Sequence, residues 1–383
     1  MSAGISSSSR DGAQLADANT NTGDTSLQPP TDGISSLVFS SDSSKLLVSS
    51  WDSYHIVHLA ALIDNPSERT TNVHSSSILH DFPLTLSSSF QHPAAVLTVC
   101  FGSSPNIAFS GGLDKRVRQW DFQTGQCRVL GKHDDAISTM VWSPESNVLI
   151  TGSWDSTLKV WDPSSETPLR SSHTLPSRIY NFSYAPSSSS LLISMAHRHV
   201  YVYKVPELAA ASLDAEIKPS QQRESALKFL TRSVACMIDG KGWASGSIEG
   251  RIAVEYFDPD PAAQALKYAF RAHRQAVDGV DCVYPINALA YHPIHNTFAS
   301  GGSDGLISIW DHNAKKRMKM YPKYPTAISA LAFSPDGSKL AIGASYEHDN
   351  SIPNKDDQNR VMVLIKNTVM EDCKVSYRKR PAV

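Results

Sequence analysis

The chain has 383 residues, 41% of them apolar and 19% charged, with a formal net charge of −2. That apolar content supports a sizeable globular core, and near-neutral charge gives no general pull towards nucleic acid or an anionic membrane. Five cysteines, Cys100, Cys127, Cys236, Cys282 and Cys373, make no C-x-x-C pair, so zinc is not expected and the thiols read as reduced and intracellular.

Residues 1–26 are polar, lack the apolar core of a signal peptide, and are expected to be a disordered Ser-rich tail. No run approaches the ~18 apolar residues that span a bilayer. "SLQPP" follows, placed to supply an outer strand that closes a ring. From there to 368 the chain reads as one domain of similar units: "DGISSLVFSSDSSKLLVSSWDSYHIVHL" from 32, then units at 92–121 and 133–162. Further units start at 177, 226, 284 and 324, the last resuming at 359–367. Residues 64–89 and 346–358 read as surface loops, and 369–383 as a polar, basic tail. Arg378, Lys379 and Arg380 there read as a weak nuclear-import patch or as solvated charge.

Each unit has short β-rich runs with turn signals every 8–12 residues, and several end in Trp-Asp: "GSWDSTLKVWD" from 152, "GGLDKRVRQWD" from 111 and "GGSDGLISIWD" from 301. Four strands per unit at a period near 40–45 residues, with that ending, mark an all-β, seven-bladed WD-repeat β-propeller. The turn residues Asp52, Asp114, Asp155 and Asp304 are expected to accept hydrogen bonds from backbone and from a histidine such as His133 (His92 in the preceding unit), making a scaffold rather than a catalytic triad. No G-x-S-x-G elbow, H-E-x-x-H or Walker loop occurs, so neither an enzyme nor a cofactor is expected.

One unit departs from the pattern. "SGSIEGRIAVEYFDPD" from 245 carries Glu249 at the turn, Tyr256-Phe257 where Trp-Asp is expected, and Arg251 after the turn. Glu249 is expected to stand in for the scaffold Asp. Arg223, Arg232, Arg251 and Arg274 are expected to converge on the face where inter-blade links and turns emerge, with Lys228 and Lys267 adding to the patch. Guanidinium forks grip carboxylates and phosphates, so the patch selects an acidic or phosphorylated peptide.

"SIEGRIAVEYFDPDP", "KYAFRAHR" and "YPINALAYHPIHNTFASGGSDGLISIWD" strongly resemble the mitotic checkpoint WD-repeat proteins, third member of the "budding uninhibited by benzimidazole" family. The likeness spans about 27–345. A paralogous nuclear-pore mRNA-export family shares the SIEGR string. The resemblance implies a non-catalytic, monomeric propeller that works in hetero-complexes, in the nucleus and at mitotic kinetochores. Its partners would be a checkpoint kinase and a pseudokinase or checkpoint-inhibitor relative, bound through acidic GLEBS segments, and phosphorylated Met-Glu-Leu-Thr repeats of a kinetochore scaffold. Neither direct DNA binding nor membrane association is expected. By the same resemblance Arg232 matches a phosphate-reading position, and Arg251 and Arg274 the acidic-peptide and phosphate side. Lys267 is what remains of a lysine-rich run, with Ala265 and Leu266 replacing basic neighbours. Trp51 and Trp154 match aromatics that either pack on the bound segment or cover their turns.

Overall fold

The structure, a computed structural model, describes residues 24–27, 29–51, 56–61, 86–346, 361–367 and 369–375, with backbone alone at 56–61 and 86–89. The described residues form seven four-stranded antiparallel sheets and one separate two-stranded hairpin. The innermost strands are Ile34–Phe39, Val96–Phe101, Ile137–Ser143, Ile179–Ala185, Thr231–Cys236, Ile286–Tyr291 and Ile328–Phe333; the sheets are numbered one to seven in that order. Each inner strand packs against the next, and the seventh against the first, so the sheets close into an all-β propeller.

Local sequence explains the repeat. Each inner strand begins with a β-branched residue that is almost fully buried, from Ile34 in sheet one to Ile328 in sheet seven. Such residues suit a strand facing its neighbours, and burying each contributes about 1.5–3 kcal/mol. A Cβ at Gly152 would sit 2.8 Å from the Ile179 side chain of the next sheet, so glycine allows that close approach.

After its second strand each sheet turns on the same hydrogen bond. Trp51, Leu113, Trp154, Ala196, Ile248, Ser303 and Ser345 each donate N–H to the carbonyl of the residue just before the inner strand, at 2.8–3.1 Å. These turns and the entries to the inner strands therefore share one face, called the top below.

The ring closes through the N-terminus. Thr25–Leu27 pairs with Met362–Lys366 as the outer strand of sheet seven. Thr25 and Ser26, expected within the disordered tail, are thus in a strand; 1–23 lie outside the described residues. At the other end Val369–Cys373 is helical, with Val369 and Cys373 buried against sheets six and seven. The presumed tail from 369 therefore begins as packed structure, because Val369 and Cys373 fall on one side of the helical turn. Most of 64–89, nearly all of 346–358, and the basic 378–380 lie outside the described residues.

The turn aspartates work as scaffold in two sheets. His133 bonds Asp155 at 3.2 Å through Nδ1 and Thr151 at 2.8 Å through Nε2, and Trp161 donates to the same Thr151. His273, Asp304, Ser300 and Trp310 repeat the set. In sheet two Arg118 stands between the partners, paired with Asp114 and 3.4 Å from His92. Asp52 lies outside the described residues.

Burial holds His133, His173, His292 and His312 below the usual imidazole range. Unfolded imidazoles take a proton near pH 6.5 that these folded ones resist. Stability present above that pH is lost as pH falls through the depressed folded values. The urea midpoint at pH 5 is therefore expected below that at pH 7.5; equal midpoints would contradict this account.

Candidate peptide-binding face

A β-bulge follows the first residue of every inner strand. A bulge leaves one residue out of the ladder and re-aims its side chain. The skipped residues are Ser35, Leu97, Ser138, Tyr180, Arg232, Asn287 and Ser329, and all seven line one cleft of about 420 Å³ at the top of the ring. In several sheets this residue ties the ring together: Ser35 donates to Val96 O, Ser138 to Ile179 O and Asn287 to Ile328 O. Sheet five differs. There Ser233, one residue later, makes the bond to Ile286 O, and Arg232 brings the one charge among the seven.

Trp51 and Trp154 line the same cleft. They occupy the turn position held elsewhere by Leu113, Ala196, Ile248, Ser303 and Ser345, and the turn bond forms in every case. The turn therefore does not require an indole. Tyr180, Asn181 and Tyr346 complete an aromatic and polar lining.

Arg251 begins the third strand of sheet five, Arg251–Tyr256, directly opposite Arg271 on the fourth, Tyr268–Arg271. Arg251 is half-buried and Arg271 exposed. Like charges facing across a pair of strands repel, a cost that an anion between them removes. Gly250 sets the turn at φ +68°, and a Cβ there would lie 2.4 Å from the His273 carbonyl oxygen. Gly250→Ala is expected to cost about 1–3 kcal/mol in a urea titration and to misplace Arg251.

Not every expected residue joins this group. Arg274 is at the top but is engaged by the protein: Nη1 donates to Asp281 at 2.9 Å and Nη2 to Glu249 O at 3.3 Å. Arg223 is not at the top. It donates to the carbonyls of Tyr256 and Phe257 and lies 5.4 Å from the Trp243 ring centre, at the far end of the strand that Arg251 begins. Lys267 precedes Tyr268, four residues below Arg271 and so roughly 13 Å down the strand. The register of two edge strands decides both, and sequence spacing does not report it.

Sheet five also lacks the scaffold network. Trp243 pairs with Glu255 as Leu149 pairs with Trp161, so Glu255 holds the place of the indole, and Tyr256-Phe257 fall after it. Burial pushes the Glu255 carboxyl above its usual range, against Arg223 and Lys267 nearby. Glu249 does not replace the scaffold aspartate; its backbone carbonyl receives Arg274 instead.

Several top-face features escaped the sequence reading. Arg274–Val277 and Val280–Val283 form the separate hairpin, with Val277, Val280 and Val283 exposed. Its signal was present: Asp278-Gly279, flanked by valines, is a two-residue hairpin turn, and both have positive φ. Phe229 and Leu230, just before Thr231, are 53% and 40% exposed, and Lys228 beside them is exposed. The site thus combines arginines, aromatics and exposed apolar residues. Among the described residues no cluster of His, Cys, Asp or Glu could hold a metal.

Residues 24–56, 84–121, 125–162 and 266–311 match the family described as WD domain, G-beta repeat. The chain is 43% identical to Mitotic checkpoint protein BUB3.1 of Arabidopsis thaliana, over 83% of this chain and 85% of that protein. It is 37% identical to Mitotic checkpoint protein bub3 of Dictyostelium discoideum, over 83% and 87%. It is 33% identical to Poly(A)+ RNA export protein of Schizosaccharomyces pombe, over 86% and 87%.

Proposed function

Because the chain belongs to the mitotic checkpoint BUB3 family of WD-repeat proteins, we propose that it is a non-catalytic adaptor of the spindle checkpoint whose top face reads acidic and phosphorylated peptides. The observation that carries this reading is the placement of Arg232. It is the charged member of the seven bulge residues lining the cleft, at the same end of sheet five as the facing Arg251 and Arg271.

The mechanism is recognition by a preformed surface. A phosphate adds roughly −1.5 to −2 charge and strong acceptor oxygens, which guanidinium groups bind with charge-assisted hydrogen bonds. Binding then follows kinase and phosphatase activity, and it weakens as salt screens the charges. Trp51 and Trp154 supply apolar area for a Met or Leu side chain beside the phosphate. An acidic, amphipathic GLEBS segment fits the same face, its carboxylates at the arginines and its apolar side chains at Phe229 and the hairpin valines. The chain would so join a checkpoint kinase, or its pseudokinase relative, to a phosphorylated kinetochore scaffold in the nucleus and at kinetochores.

The test is affinity purification of the tagged chain from cells arrested in mitosis. Recovery of a checkpoint kinase that is lost at high salt, together with a kinetochore scaffold that is lost after phosphatase treatment, supports the adaptor. Recovery of nuclear-pore components instead, with salt-resistant binding to single-stranded RNA, supports the export reading.

A further inference from the structure

A second cleft, of about 690 Å³, opens on the outer rim between sheets three and four. One wall is the outer strand of sheet three, Leu169–Thr174, and the other is His199–Lys204 of sheet four. Residues 211–219, following the short helix Val205–Ala210, fold across it. The volume matches ordinary ligand sites, which run about 300–1,000 Å³, and exceeds what one buried side chain fills.

The lining is unusual for a structural seam. Tyr201 and Tyr203 are two residues apart on one strand and so face the same way. Tyr203 is only 3% exposed, and its hydroxyl, which solvent still reaches, lines the cleft without a hydrogen bond to the described residues. His173 is 7% exposed and spends Nε2 on Ser171, which leaves Nδ1 for the cleft. Burial pushes the Tyr203 hydroxyl up to about 12, so it stays a neutral donor and acceptor. At the mouth Asp214 and Glu216 are exposed carboxylates, and Lys218 is the opposing charge of the lining.

We propose that this rim cleft is a second peptide-binding site, selective for a segment that presents an arginine or lysine side chain to Tyr201 and Tyr203. Aromatic faces attract such cations, the tyrosine hydroxyls accept their N–H groups, and Asp214 and Glu216 favour their approach. The charge preference is opposite to that of the top face. The top cleft and this one lie on different surfaces of the ring, share no lining residue, and can be filled together.

The test titrates the full chain with acetyl-Gly-Arg-Gly-amide, its lysine counterpart and its citrulline counterpart, followed by amide chemical shifts. The cationic peptides are expected to shift the amides of Ser172, Tyr201 and 213–218, and citrulline, which keeps the shape but not the charge, to bind at least tenfold more weakly. Asp214→Asn with Glu216→Gln should remove that preference, and Tyr203→Phe should weaken the arginine peptide severalfold. Equal binding of citrulline, shifts mapping to another surface, or no response to the double substitution would overturn the assignment. Phosphopeptide binding at the top should be unchanged in these variants, so failure here is separable from failure of the adaptor reading.

Discussion

A chain carrying both Arg232→Ala and Arg251→Ala is expected to bind a phosphothreonine peptide at least a hundredfold more weakly than the parent, with an unchanged melting curve. Hydrogen bonds to charged groups contribute about 1.5–3 kcal/mol each, and a factor of ten in affinity is about 1.4 kcal/mol. Losing two therefore removes more than two decades, even with incomplete additivity. The fold should not notice. Arg232 is exposed and leaves the inter-sheet bond to Ser233, and Arg251 is the first residue of its strand. Anisotropy with a phosphorylated and an unphosphorylated Met-Glu-Leu-Thr peptide, read at two salt concentrations, measures the effect. Retained affinity, or a loss shared equally by both peptides, would remove the phosphate-reading role. By contrast Arg223→Ala should act mainly on stability, because that side chain holds Tyr256 and Phe257 and offsets buried Glu255.

Lys366→Met is expected to lower the unfolding free energy by about 3–5 kcal/mol, the usual result of removing one partner of a buried ion pair. Lys366 Nζ lies 2.7 Å from Asp24 Oδ1, with side-chain exposures of 8% and 0%. Tyr324 donates to the other carboxylate oxygen at 2.7 Å, and the ammonium sits 4.8 Å from the Tyr321 ring centre. This cluster anchors a closing strand of only three residues, Thr25–Leu27, whose ladder alone is short. Without it the edge of sheet seven opens to water and to other strands. Adding Asp24→Asn to Lys366→Met should recover part of the loss, since the orphaned charge is then gone. A single variant as stable as the parent in guanidinium would show that the ring does not depend on this closure.

The two outcomes mark different kinds of information. The repeat was legible because strand alternation, Gly/Asp turns and the His–Asp–Trp spacing are local, and each unit states them again. His133 with Asp155 follows from that spacing, whereas His273 reaches Asp304 over a longer stretch because the Arg274–Val283 hairpin is inserted between them, and the sequence pattern does not mark it. The bulge that aims Arg232 was not legible: it is a register shift between two strands, and no residue type announces it. Trp51 and Trp154 illustrate the same limit. Their function could be weighed only after seven equivalent turns were seen to close without an indole in five of them.

What the sequence determined unaided is the β-propeller plan and the scaffold of its turns, since these rest on periodicity and short-range hydrogen bonding. What only the tertiary structure decided is which cations share a surface. Arg232 and Arg251 stand at the same end of sheet five, Arg274 is held by Asp281, Lys267 belongs further down that sheet, and Arg223, on the outer strand of sheet four, bonds to its far end. The reason is geometric: strand direction and register carry a side chain to one end or the other, and both are set by pairing between segments distant in the chain.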